Sequence, residues 1–253
     1  MKAMMDLHTH TLAAGHAYST LKENIESAMA AGLRYLGMSE HGPSAPGGPH
    51  EFFFGNYKVI PREYDYVDNT DKVMPMEGGR LRLLCGVEAN ISDINGTLDL
   101  EERYLQKMDY AIASLHIFAF TPGSRKENTM ASVRGFRNPY VKILGHPDDG
   151  RFPLDYDLLV REAKEAKVAL EVNNSSLNPK SSRKGGRENI TELLKTCMKY
   201  GQPVIMGTDS HICYEIGHFE DSMALLAELD FPEGQVINFE VERLSYVLRK
   251  KNI

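Results

Sequence analysis

Short apolar runs alternate along this chain with stretches whose apolar residues recur every three or four positions. AMMDL at 3–7 reads as a strand and RYLGMSE at 34–40 as the next. LRLLCGVEAN at 81–90, MDYAIASLH at 108–116, VKILGHP at 141–147, VALEVNNSS at 168–176 and PVIMGTDSH at 203–211 follow. Helical periodicity fills the intervals: 19–31, capped by Ser19 or Thr20, then 127–137, 155–166, 187–200, 218–229 and 240–251. Strand, helix, strand in this order predicts parallel strands joined by right-handed crossovers. Seven such strands in 253 residues predict one α/β domain spanning 1–253, built as an incomplete β/α barrel. A doubly wound open sheet is the alternative. Its nucleotide-binding versions are weakened because no GxGxxG follows the first strand and no Walker sequence occurs. The least regular stretch is 42–80, rich in Gly, Pro and aromatics; it reads either as a lid over a site or as an ordered surface excursion.

The histidines fall where the strands end. His8 and His10 close the first strand, His41 the second, His116 the fourth, His146 the fifth and His211 the last. Glu88 closes the third strand, and Asp209 precedes His211 by two. In a β/α barrel the carboxyl ends of all strands open onto one face, where active sites lie. His8/His10 and Asp209/His211 are i and i+2 pairs, so each pair projects to one side of its strand. One histidine at a strand end is ordinarily a hydrogen-bonded core or loop residue. Six strands each ending in a ligand-type residue predict a metal centre instead. Neutral imidazole suits zinc, iron or manganese, and a carboxylate can bridge two ions. Asp6, two before His8, either orients a ligand imidazole or plays a buried hydrogen-bonding role in the strand. His50 and His218 end no strand and read as surface histidines, His50 touching substrate only if the 42–80 loop closes.

Composition narrows the partners. Hydrophobic content of 42% and charged content of 25% are those of a soluble globular protein. No apolar run approaches the roughly 20 residues that span a bilayer, and no secretory leader is visible. Three scattered cysteines without a CxxC pair predict reduced thiols and a cytoplasmic location. Cys213, two after His211, either lies near the metal or packs. The net charge is −6 and the longest basic stretch is SSRKGGR at 181–187, which argues against long nucleic acid. Three divalent cations would cancel that charge.

DLHTHT followed by HAYSTL, then SEHGP, GVEANI, SLH, LGHP, LEVNNSS and GTDSH, resembles the PHP (polymerase and histidinol phosphatase) family, closest to its YcdX-like phosphatase branch. The resemblance runs from residue 6 to about 220. It implies a distorted, TIM-like (β/α)7 barrel with three divalent metal ions, zinc first, manganese or iron as alternatives. It implies that His8, His10, Glu88 and Asp209 hold one ion. Glu88 bridges to a second with His116 and His146, and His16, His41 and His211 hold the third. The implied reaction is hydrolysis of a small phosphorylated metabolite, a monoester, by metal-activated water, with Glu88 and Asp209 nearest the chemistry. Arg183 and Lys184 read as phosphate contacts or as a solvated basic loop. Asn173 and Asn174, after the sixth strand, either bond substrate or stabilise a turn. Asp209 or a metal-bound water is the candidate proton donor for the leaving group. Competing readings are a phosphodiesterase or nuclease, histidinol-phosphate phosphatase specifically, an amidohydrolase, or a closed, non-catalytic metal module.

Overall fold

All seven apolar runs form strands in the computed structural model, which describes residues 2–65 and 80–248. They are β1 (Met5–Asp6), β2 (Tyr35–Met38), β4 (Leu81–Cys85) with β5 (Glu88–Asn90), β6 (Ala111–Ser114), β7 (Val141–Leu144), β8 (Ala169–Asn173) and β9 (Val204–Gly207). A short β3 (Glu63–Tyr64) pairs antiparallel with β4; every other pairing is parallel. The helices are α1 (Leu21–Ala30), α2 (Glu51–Gly55), α3 (Glu102–Leu105), α4 (Arg125–Phe136), α5 (Tyr156–Ala166), α6 (Asn174–Leu177), α7 (Gly186–Tyr200) and α8 (Glu220–Glu228). Thr20, not Ser19, caps α1 and shares a capping box with Glu23; Ser124 and Glu127 do the same for α4, which therefore starts before 127. No described helix is long and apolar enough to cross a membrane.

The third run is one strand in the sequence and two in the structure. It leaves one sheet at Cys85 and enters the other at Glu88. The break falls beside Tyr110, whose buried ring lies so close to Gly86 that a Cβ there would sit 2.6 Å from Cζ. Tyr110 in turn donates its hydroxyl to Leu7 O at 2.5 Å, which fixes the ring in the barrel interior. Two sheets result, ordered β1-β2-β4-β3 and β5-β6-β7-β8-β9. They meet through two single parallel bridges, His41–Glu88 beyond the end of β2 and Thr9–Ser210 beyond the end of β1. The predicted distorted barrel is thus an α/β arrangement with two thin seams rather than a continuous ladder.

Side-chain alternation along the strands sorts the core into two layers. Leu83 and Cys85 face the helices, while Leu84 faces inward with Met5, Leu7, Tyr110, Ile112, Ile143 and Ile205. The inner layer is sealed at its far end by Ile237, Leu244, Val247 and Leu248. The segment predicted as a helix over 240–251 instead forms a 3-10 helix at Val241–Tyr246, and its last three residues lie outside the described chain. Leu244 and Val247 are three apart, and three residues per turn place both over the barrel end. Likewise the sixth run stops being a strand at Asn173, whose side chain accepts from Ser176 N and caps α6.

Asn238 is a buried staple between the first and last strands. Its amide donates to Met5 O and Met206 O, both at 2.9 Å, and its oxygen accepts from Met206 N at 2.7 Å. Asn238→Ala leaves three buried backbone groups unpaired and is expected to cost about 3 kcal/mol, read as a lower urea midpoint. A loss under about 0.5 kcal/mol would show that the staple carries no stability.

Candidate metal centre

Glu88 lies at the centre of a histidine cage. Its Oε1 is 2.8 Å from His146 Nε2 and 3.4 Å from His116 Nε2. Its Oε2 is 2.7 Å from His41 Nδ1, 3.3 Å from His8 Nε2 and 3.5 Å from His10 Nε2. Asp209 Oδ1 is 3.2 Å from His10 Nε2 and 3.5 Å from His8 Nε2. All of these side chains except His116 are at least nine-tenths buried. At the outer edge, His16 Nε2 is 2.9 Å from His211 Nε2.

Three groups of donor atoms, each within 4.8 Å of one another, emerge: His8, His10, Glu88 and Asp209; His41, Glu88 and His116; and His10, His41 and His211. The first is the set that the resemblance implied. In the second, His41 joins Glu88 and His116, while His146 reaches Glu88 directly. In the third, His10 joins His41 and His211, while His16 touches His211. Glu88, His10 and His41 therefore each serve two groups.

The donor chemistry fits divalent cations. Among the described residues, His8 Nε2, both nitrogens of His10, His41 Nδ1, Glu88 Oε2 and Asp209 Oδ1 are buried with no hydrogen-bond partner. Their mutual contacts are short but lack hydrogen-bond geometry. Each such atom costs about 1–3 kcal/mol if nothing satisfies it. The His16–His211 pair makes the same point. Each ring turns Nδ1 to a carbonyl, Ala14 O at 3.1 Å and Asp209 O at 2.8 Å, so both Nε2 atoms carry lone pairs and face each other. Converging imidazole and carboxylate lone pairs are the donor set of zinc, manganese or iron.

Surrounding groups fix the rings. His8 donates Nδ1–H to Glu171 Oε1 at 2.6 Å, and His116 donates Nδ1–H to Asn90 Oδ1 at 2.7 Å. Asn90 is held by Asp99 at 2.6 Å. Each bond selects the tautomer that frees Nε2. Glu171, on β8, is the residue that sequence reasoning missed, since it lies inside its apolar run rather than at the run's carboxyl end. Its other oxygen accepts from His146 N at 2.6 Å and Asn173 Nδ2 at 3.1 Å. Gly207 makes room for it: a Cβ there would sit 2.0 Å from Glu171 Oε1. Asp6 takes the buried hydrogen-bonding role, tying the first strand to the loop after the last. It accepts from Thr208 Oγ1 at 2.6 Å and Gly217 N at 3.1 Å, and burial lifts its carboxyl to about 6.

Two site residues hold left-handed backbone without being glycine, His146 at φ 27° and Asp209 at φ 53°. That conformation costs about 1–2 kcal/mol per residue. It is held at Asp209 by its N–H on His8 O at 2.8 Å. Charge is also concentrated here. Burial alone would raise the Glu88 and Asp209 carboxyls, but the imidazoles around Glu88, and His8 with Arg183 beside Asp209, hold both well below the carboxylate range. Burial drives His10 well down, helped by His41 and His211, and takes His116 to about 4. Burial works against a charged His8 too, yet Glu171, Glu88 and Asp209 push it well up. Three buried carboxylates around one imidazole make a field that favours positive charge.

The basic loop delivers Arg183 but leaves Lys184 outside. Arg183 donates to Asp209 Oδ2 at 2.5 Å, Asn173 Oδ1 at 3.1 Å and Ser176 Oγ at 3.2 Å. Lys184 is exposed, and its carbonyl accepts from Gly150 N at 2.8 Å. Asn174 accepts from Ser222 N at 2.9 Å, toward α8. His50 caps α2, accepting from Phe52 N at 3.2 Å, and His218 pairs with Glu220 at 3.0 Å. Cys213 donates its N–H to Ser19 Oγ at 2.8 Å and is in none of the three donor groups. The irregular stretch is anchored by Phe54 and Tyr57 in the main core; its residues 66–79, part of the stretch read as a lid or a surface excursion, lie outside the described chain.

Comparison with known proteins bears on the family and the fold. A family model described as PHP domain matches residues 6–175. A probable phosphatase of Clostridium novyi (strain NT) is 42% identical over 251 residues, covering 99% of this chain and 96% of that protein. One from Caldanaerobacter subterraneus subsp. tengcongensis is 39% identical over 252 residues, covering 99% and 93%. Among solved structures, the fold is similar to that of histidinol phosphate phosphatase from Lactococcus lactis subsp. lactis, complexed with zinc, L-histidinol and phosphate. The TM-score is 0.57 at 16% identity, covering 92% of this chain and 95% of that one. The putative histidinol phosphatase of Listeria monocytogenes gives 0.52 at 17% identity, covering 85% and 98%.

Proposed function

The chain belongs to the PHP domain family, and from that premise we propose that it is a metal-dependent phosphatase acting on small phosphate monoesters. The observation that carries this reading is the set of buried, partnerless nitrogen and oxygen atoms converging around Glu88. His8, His10, Glu88 and Asp209 would hold one divalent ion, Glu88 with His116 and His146 a second, and His16, His41 and His211 a third. Zinc is the first choice, with manganese or iron next. Bound ions of this kind supply positive charge for phosphoryl oxygens and lower the pKa of water from 15.7 toward about 7.

The chain's own residues set up the rest. Glu88 is ionised and central, so its two oxygens can face two cations at once. Arg183 occupies Asp209 Oδ2 and leaves Oδ1 turned to His8 and His10. Its guanidinium stands beside the cage, where it can also grip a phosphoryl oxygen. Asn173 accepts from Arg183 and donates to Glu171 and Asp209, so it keeps these groups in register beside the substrate. Exposed Lys184 draws an anionic substrate toward the mouth.

The test is turnover of 4-nitrophenyl phosphate beside bis(4-nitrophenyl) phosphate, with elemental analysis of the same preparation. Faster monoester hydrolysis with two or more metals per chain is expected. Faster diester turnover overturns the reading in favour of a phosphodiesterase. Glu171→Gln is expected to weaken metal binding about 10–100-fold by loosening His8, measured by competition with a chromophoric chelator. Unchanged affinity would remove Glu171 from that role.

A further inference from the structure

The mouth of the cage is apolar on one side. Among the described residues, Leu12 and Tyr18 follow His10, Ile117 and Phe118 follow His116, and Tyr214 follows His211; all five side chains are exposed. Tyr18 N donates to His211 O at 2.7 Å, which holds the first of these loops against the last. Phe118 is the inner member. Its ring lies on His116 at 4.9 Å and 11°, and meets His41 edge-on at 6.3 Å. The apolar surface therefore begins at the donor groups themselves.

The two loops that follow His10 and His116 are also uncharged; the third carries exposed Glu215 beside Tyr214. Between His10 and Lys22 the chain has no Asp, Glu, Lys or Arg, and none occurs between His116 and Arg125. A charged leaving group would find no partner on either loop. Exposed large apolar residues scattered singly need no explanation, but a cluster at the rim of a polar site marks a binding surface. Resting on the phosphatase reading, we propose that this rim, with Phe118 at its inner edge, receives the alcohol portion of the substrate. The preferred substrates are then phosphate monoesters of apolar or aromatic alcohols, the phosphoryl group held on the Arg183 side and the organic group along Phe118.

Ethyl phosphate and 2-phenylethyl phosphate test this, because both leave as alkoxides of similar basicity and differ in apolar bulk. With metal-loaded protein, kcat/KM is expected to favour 2-phenylethyl phosphate about 30-fold. Phe118→Ala is expected to cut that ratio about tenfold, mainly through KM, while Phe118→Tyr keeps most of it. Three results overturn the proposal: equal kcat/KM values in the wild type, a ratio untouched by Phe118→Ala, or a parallel fall for both substrates with loss of metal, which would make Phe118 only a support for His116. An untouched ratio together with a smaller assembly by light scattering would assign the rim to contact between copies instead. Hydrolysis of neither ester overturns the phosphatase reading as well. Hydrolysis of both without preference overturns this inference alone.

Discussion

Glu88→Gln is expected to lower kcat/KM for a phosphate monoester by about 10³-fold or more, with the chain still folded. The substitution keeps shape and removes charge. Five imidazoles lie within 3.5 Å of the Glu88 oxygens, three on one and two on the other side of the carboxylate. A glutamine there offers one neutral oxygen, and its NH₂ turns protons toward lone pairs that need a cation. Two of the three donor groups lose their shared anionic member at once. Elemental analysis should show metal content falling with activity, and an unchanged urea midpoint for the metal-free protein would separate this from unfolding. Activity within tenfold of the wild type would mean that Glu88 bridges nothing.

Removal of the metal has the second large effect expected. Exhaustive dialysis against a strong chelator should abolish turnover and lower the thermal midpoint, and added zinc or manganese should restore both. The size follows from linkage: a ligand that binds only the folded state, at 1,000 times its Kd, stabilises by about 4 kcal/mol. Retention should also weaken as pH falls, because protons compete for the imidazoles. His10 and His116 resist this longest, since burial keeps both rings neutral well below the ordinary histidine range. Full activity after metal-free dialysis, verified by elemental analysis, would end the proposed mechanism.

The strands and their ends were legible because two independent signals coincided there: a short apolar run and a ligand-type residue at its carboxyl end. His8, His41, Glu88, His116, His146 and Asp209 all meet at one mouth for that reason. Glu171 was not legible. One acid inside an apolar strand reads as an ordinary outward-facing position, and only the closed arrangement reveals that both faces of β8 are covered. The split of the third run was hidden too, because Gly86 yields to a tyrosine far along the chain. At the C-terminal end, the three-residue spacing of Leu244 and Val247 suits an α-helix and a 3-10 helix alike. Arg183 could be placed near the site from its loop, but its engagement with Asp209 required the fold.

The two thin seams have a consequence for how this chain matures. At one, Glu88 N donates to Glu40 O at 2.9 Å and Gly42 N to Glu88 O at 2.8 Å; at the other, Asp209 N donates to His8 O and His10 N to Ser210 O, at 2.8 and 2.9 Å. The residues that zip the wall shut are thus those that gather the donor atoms. A nascent polypeptide cannot complete its cylinder without assembling the binding pocket, and cation capture would clasp both zippers together. Starvation for the ion should therefore surface first as fast amide exchange along β1, β5 and β9, while the helical shell stays protected.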